Sequence, residues 1–203
     1  MKKLMAAVFL DRDGVINEDR ADYVKSWAEF RFIRGVRPGL NRLKEAGLPV
    51  VIITNQSAVG RGLMTTAVLE GIHRKMSLAV EQGGGKIQGI YYCPHRPDEN
   101  CACRKPRDGL IRKAAAELKI DLRRSLLIGD TGKDLQAGRN AGCLTLLVLT
   151  GQGRATLTQL FSGDQHSLPD FICRDLSGAV DLIEWINPKR KGPIVRIEPS
   201  IQD

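Results

Sequence analysis

Two carboxylates one residue apart, Asp11 and Asp13, follow the apolar run Val8-Phe9-Leu10 and precede Gly14. Carboxylates held this close repel unless a cation lies between them or one keeps a proton. Either remedy is chemically useful. A hard divalent cation such as Mg2+ takes oxygen ligands and usually brings a phosphate with it, and a retained proton is available for transfer. A solvated turn would use the same residue types, so the pair gains force only from what accompanies it. A second cluster is more specific: Cys93-Pro94-His95, then five residues, then Cys101-Ala102-Cys103. Three thiols and one imidazole in two close pairs can supply the closed tetrahedral shell of a structural Zn2+. A disulfide would need an oxidising compartment, which nothing here suggests, and a catalytic thiol would lack a second histidine. Structural zinc is the favoured reading, with Cys143 and Cys173 left as buried thiols.

Three further groups stand where chemistry is expected. Thr54-Asn55-Gln56-Ser57 ends an apolar run, where a hydroxyl and an amide could hold phosphate oxygens or simply cap a helix. Arg104-Lys105 follows the last cysteine, so a zinc loop would deliver both cations to one place. Asp130-Thr131-Gly132-Lys133-Asp134 closes another apolar run with carboxylates.

The elements that must position these groups follow from periodicity. Short unbroken apolar runs bounded by turn residues read as buried parallel strands: 8–10, 49–53, 87–92, 125–129, 144–149 and 171–173. Helices are expected over 36–46, with Pro38 in the first turn and Gly47 as stop. A longer one should start at a Thr65 cap, with Leu69, Ile72, Met76 and Val80 on its apolar face, and stop at Gly83. His73 lies within it as a surface or core residue, not a ligand. Further helices should run from Pro106 to Leu118, through Leu135 to Gly142, and from Leu176 to Ile186. The segment 17–34, with Tyr23, Trp27, Phe30 and Phe32, reads as an excursion over the mouth of the site or an ordinary loop pinned by aromatics. Residues 156–169 read as a mobile surface segment.

This alternation of strand and helix predicts one α/β domain over residues 1–186, including a zinc loop at 93–105, and a tail over 187–203. The sheet should be mainly parallel in a three-layer, Rossmann-like sandwich, and ligands should bind beyond the carboxyl ends of its strands. With 203 residues, 42% of them hydrophobic and 27% charged, the chain suits a globular domain with a substantial core. No apolar run is long enough for a membrane span. The start 1–10 imitates a signal peptide but runs directly into Asp11, so a first strand and a cytoplasmic, monomeric protein are expected. The net charge of +8 favours anionic partners. No basic helix stripe or basic-aromatic interleaving points to nucleic acid, and the basic residues of the tail (Lys189, Arg190, Lys191, Arg196) read as a solvated end.

Taken together, D-x-D-G at 11–14, the strand ending in Thr54, Lys105, and G-D-x-x-x-D at 129–134 resemble the four motifs of the haloacid dehalogenase-like phosphatases, across about residues 6–186. Within them, Cys93-x-His95 with Cys101-x-Cys103-Arg104-Lys105-Pro106 is similar to a narrow group holding D,D-heptose 1,7-bisphosphate phosphatases and histidinol-phosphatases, which have no large cap domain. The resemblance implies that Asp11 is the nucleophile forming an aspartyl-phosphate. Asp13 would be the general acid and then the base, a task that needs a proton exchangeable near neutral pH. It implies Mg2+ held by Asp11, the backbone carbonyl of Asp13 and Asp130, with Asp134 orienting that shell, and Zn2+ held by Cys93, His95, Cys101 and Cys103. Thr54 and Lys105 would bind the transferring phosphate, assisted by Asn55 and Gln56, while Arg61 and Arg104 would reach a phosphorylated sugar. One departure stands out: heptose enzymes commonly carry Lys where this chain has Thr131, and Lys133 is the nearest cation. The N-Q-S-x-x-G-R-G pattern at 55–62 is more like the heptose enzymes. The short zinc loop is shared with histidinol-phosphatases, so histidinol phosphate is the alternative substrate. Other readings are a catalytically idle, zinc-stapled binding module and a nucleic-acid end phosphatase.

Overall fold

The computed structural model describes residues 4–163 and 168–186. The expected tail and its basic residues lie outside the described residues. The strands are β1 (Val8–Leu10), β2 (Val50–Asn55), β3 (Ile87–Cys93), β4 (Leu126–Gly129), β5 (Leu144–Val148) and β6 (Phe171–Cys173). They form one sheet in the order β3-β2-β1-β4-β5-β6, and every adjacent pair is parallel. The helices are α1 (Val36–Glu45), α2 (Ser57–Gly60), α3 (Thr66–Gln82), α4 (Gly109–Leu118), α5 (Gly132–Ala141), α6 (Gly153–Phe161) and α7 (Leu176–Ile186).

Strand β1 shows why the sequence builds three layers. Successive side chains leave opposite faces of a strand. Val8 and Leu10 accordingly enter the cluster formed with Leu40 of α1, Leu69 and Met76 of α3, and Val180 of α7. Ala7 and Phe9 enter the other, with Ile111 and Ala114 of α4 and Ala137 of α5. A strand apolar on both faces must be covered on both, so β1 lies near the centre of the sheet with all three residues fully buried.

The strand order reverses at β1, which pairs with β2 on one side and β4 on the other. Connections leaving β1 and β4 diverge there and open a crevice at the carboxyl edge, the place where such sheets bind ligands. Asp11 follows β1 and Asp130 follows β4, so the topology alone sets two carboxylates side by side.

Two expectations differ from the structure. Pro106 does not open a helix: the Lys105–Pro106 bond is cis and α4 starts at Gly109. The stretch expected to be a mobile segment from Thr156 holds most of α6, because the Thr156 hydroxyl is buried and donates to the Asp130 carbonyl at 2.8 Å. That bond ties α6 to the end of β4, and residues 164–167 of the same stretch lie outside the described residues.

Candidate active site

A cleft of about 640 Å³ opens at the carboxyl edge and is lined by Asp11, Asp13, Thr54, Asn55, Arg104, Lys105, Asp130 and Asp134 among others. Its outer rim comes from the excursion after β1 (Asp19, Arg20, Tyr23), from Lys133 of α5, and from Gln152 and Gln159. The excursion is pinned by its own aromatics: Trp27 stacks on Phe30 at 4.9 Å and Phe32 meets Phe30 edge-on at 5.0 Å. Its tip is clasped across the cleft by Gln152, which donates to Asp19 at 2.9 Å.

Lys105 is the buried cation of this cleft, only 3% exposed. Its Nζ lies 2.9 Å from Asp11 Oδ1 and 2.5 Å from Asp134 Oδ1, and donates to the Ile53 carbonyl at 2.8 Å. Burial alone would lower its pKa, but the two carboxylates outweigh that and hold the ammonium charged, above its ordinary value. Asn55 fixes the backbone beneath it: its side chain accepts from Lys105 N at 3.1 Å and donates to Lys105 O at 3.2 Å. Asn55 thus positions the cation as well as lining the cleft.

Asp134 is fully buried and serves two structures at once. Its Oδ2 accepts from the Thr131 amide at 2.9 Å and the Thr131 hydroxyl at 2.5 Å, forming the capping box that starts α5. Its other oxygen holds Lys105. Thr131 therefore caps α5.

The carboxylates of Asp11, Asp130 and Asp134 lie within 4.8 Å of one another. Burial, then the neighbouring carboxylates, push Asp130 up to about 8, and burial pushes Asp11 up to about 7 despite Lys105. Asp130 Oδ2 accepts from Gln152 N at 2.8 Å, whereas the buried Oδ1 has no protein partner. An orphaned carboxylate oxygen among mutually repelling carboxylates is what a hard cation satisfies, so these residues fit Mg2+. Gly14 belongs to this arrangement. Its φ of +83° suits glycine, and a Cβ there would collide with the Asp130 carboxylate.

Asp13 is held differently. Its Oδ1 receives Arg12 Nη2 at 2.8 Å and Asn17 Nδ2 at 2.8 Å, and its Oδ2 receives Gln56 Nε2 at 2.8 Å. Burial works to raise its pKa, but the Arg12 guanidinium and the two amides outweigh that and hold the carboxyl below its ordinary value. These three donors therefore favour the ionised form of Asp13.

The zinc expectation meets a converged cluster. Cys93 Sγ lies 3.5 Å from Cys101 Sγ and 3.2 Å from Cys103 Sγ, and His95 Nδ1 lies 3.3 Å from Cys103 Sγ. These are too long for disulfides and near the edges, about 3.5–3.8 Å, of a tetrahedron with 2.0–2.3 Å bonds. The four donors fit Zn2+. Arg104, leaving this loop, donates to the His95 carbonyl at 3.2 Å and borders the cleft.

Two expected substrate contacts are placed elsewhere. Gln56 is buried, with its amide on Asp13 and also on Thr54 Oγ1 at 3.0 Å, and it does not line the cleft. Arg61 is exposed and also outside the lining. Its turn meets the zinc loop: Gly60 N donates to the Pro94 carbonyl at 2.9 Å, and a Cβ on Gly60 would sit 2.7 Å from that oxygen. Conversely, Arg12, Asn17 and His73 received no role from the sequence. The available signal was Arg12 itself, a charge inside a segment that reads as buried.

A HAD-hydrolase-like family profile matches residues 102–179. The D-glycero-β-D-manno-heptose-1,7-bisphosphate 7-phosphatase of Bordetella bronchiseptica is 43% identical over 179 residues, 87% of this chain and 97% of that protein. The enzyme of the same name from Helicobacter pylori strain J99 is 43% identical over 181 residues, 89% of this chain and 96% of that protein. The crystal structure of the B. bronchiseptica D,D-heptose 1,7-bisphosphate phosphatase, complexed with magnesium and phosphate, superposes with a TM-score of 0.83 and covers 89% of this chain and 99% of that one. With identity at this level over nearly the whole length, and with the carboxylate cleft and thiol cluster in place, the chain belongs to the D-glycero-D-manno-heptose 1,7-bisphosphate 7-phosphatase family of haloacid dehalogenase-like phosphatases.

Proposed function

We propose that this protein is a phosphatase that removes the C7 phosphate of D-glycero-D-manno-heptose 1,7-bisphosphate, in the biosynthesis of nucleotide-activated heptose. The observation that carries this reading is the cleft floor, where Lys105 lies between Asp11 and Asp134 and a buried oxygen of Asp130 has no partner. The names of the relatives support the β anomer as substrate. The setting is a cytoplasmic monomer, and no helix among the described residues is long and apolar enough to cross a membrane.

Mg2+ would be held by Asp11, Asp130 and the backbone carbonyl of Asp13, where it screens the carboxylate from the incoming phosphate. Asp11 attacks phosphorus, so that an Asp11–phosphorus bond forms as the bond to the sugar oxygen breaks. Asp13 gives its proton to that leaving oxygen. Arg12 and the two amides favour the ionised carboxyl in the free protein, so Asp13 takes this proton from solvent as the phosphate charge arrives beside it. In the second half Asp13 takes a proton from water, the water oxygen bonds to phosphorus, and Asp11 is released with inorganic phosphate. Lys105 and Thr54 hold the transferring phosphate. Arg104, with Arg20 and Lys133 on the rim, offers charge to a second phosphate on the same substrate. Zn2+ bound at Cys93, His95, Cys101 and Cys103 would fix the loop that carries Arg104 and Lys105.

Phosphate release in the presence of Mg2+ tests the reading, with both anomers of the bisphosphate compared with histidinol phosphate. A strong preference for the β-bisphosphate is expected, and equal or better turnover of histidinol phosphate would overturn it.

A further inference from the structure

Arg12 stands between the two motif carboxylates, yet the chemistry above leaves it idle. Its side chain is 1% exposed, so a permanent charge is buried and must be matched. One flank of the guanidinium meets Asp13: Nε lies 3.2 Å from Oδ1, and Nη2 lies 2.8 Å from Oδ1 and 2.9 Å from Oδ2. The other flank, Nη1, lies 3.2 Å from His73 Nε2. Arginine can only donate, so His73 Nε2 accepts and the ring is neutral with its proton on Nδ1.

His73 is itself held. It is 5% exposed on α3, and its ring centroid lies 5.6 Å from that of Tyr92 of β3. The Tyr92 hydroxyl donates at 3.1 Å to Glu70, one turn earlier on α3. A point charge would neutralise Asp13 equally well, whereas a planar fork anchored at its far end also fixes the tilt of the carboxylate.

We propose that Arg12, anchored by His73, is a positioning residue that aims the Asp13 carboxyl at the leaving oxygen. The pair is required for departure of a sugar alkoxide and not for attack by Asp11. This rests on Asp13 being the acid. An alkoxide must be protonated as its bond to phosphorus breaks, whereas a p-nitrophenolate leaves without a proton. Damage to the aim of Asp13 therefore separates the two leaving groups, and general damage to the fold does not.

The test measures, with Mg2+, the rate of phosphate release from heptose 1,7-bisphosphate and the first-turnover burst of p-nitrophenolate from p-nitrophenyl phosphate. Arg12→Met should lower the sugar rate about 100-fold and leave the burst within about twofold, as expected for a misplaced catalytic group. Arg12→Lys, which keeps the charge without the fork, should recover less than about a tenth of that loss. If Arg12→Met does not fold, His73→Leu carries the test: a selective loss of about tenfold is expected, and His73→Gln, which keeps an acceptor for Nη1, should recover most of it. Equal losses on both substrates, or full recovery by Arg12→Lys, would overturn the proposal. Asp13→Asn separates the two ideas. If it spares the burst and loses the sugar rate while the Arg12 and His73 variants lose neither selectively, Arg12 is not the positioning residue. If Asp13→Asn itself shows no selectivity, the assignment of Asp13 as acid fails instead.

Discussion

At the scale of single residues, Asp11 and Asp13 differ in environment more than in type. Asp11 faces an ammonium and two buried carboxylates, and Asp13 faces a guanidinium and two amides. Asp11→Asn preserves size and removes the nucleophile of the proposed reaction. Turnover should fall at least about 1000-fold, with the circular-dichroism spectrum unchanged, and retained activity would exclude Asp11 as nucleophile. His73 gives a pH signature in stability. Burial, then Arg12, lower its pKa from 6.5 to about 3. Below 6.5 the unfolded chain binds a proton that the folded one refuses, so this contribution is complete above 6.5 and is lost as pH falls toward 3. The slope should approach about 1.4 kcal/mol per pH unit in that window. Urea midpoints measured across it should flatten in His73→Gln, and an unchanged slope would show that another group is responsible. The D-x-D-G motif was plain in the sequence because it sits at a strand end. The partners of Asp13 were not, because Gln56 and His73 reach the Arg12–Asp13 pair from 43 and 61 positions away.

At the scale of elements, the zinc loop and the start of α5 are the two devices that place charge. The loop is held by its four donors and by the Gly60 turn, and it ends at Lys105. Removing two donors with Cys101→Ala/Cys103→Ala should release zinc, lower the melting temperature, and reduce turnover through displacement of Arg104 and Lys105. Metal analysis beside phosphate release checks this, and undiminished zinc content would exclude the site. The cysteine spacing was legible without a structure because four soft ligands so close together have few other uses. The turn that carries Arg61 was less legible. An arginine between two glycines near a strand end suits an anion site, but the neighbouring Gly60 is needed where two backbones touch.

At the scale of the whole molecule, the parallel sheet with its reversal at β1 brings together Asp11, Lys105, Asp130 and Asp134 from three separate stretches. The cation site is therefore a property of the folded state, and metal should stabilise the fold by mass action. Mg2+ at 100 times its dissociation constant should add about 2.7 kcal/mol, read as a rise in melting temperature. Asp130→Asn should abolish most of that rise, and an undiminished rise would place the cation elsewhere. The positive net charge agrees with an anionic substrate, although the cleft itself mixes basic and acidic side chains.

Apolar runs, their turn residues and the order of the motifs were enough to specify an α/β sheet, the strand ends that carry carboxylates, and the tetrad of zinc ligands. These are local properties, set by periodicity and by spacings of a few residues. Which oxygen each donor meets was decided only in three dimensions: Asn55 beneath Lys105, Gln56 on Asp13, Thr131 as a helix cap, and Arg12 held by His73. Most of these bonds join distant parts of the chain within a dry interior, where each polar group must find a partner and its choice depends on every neighbour packed around it.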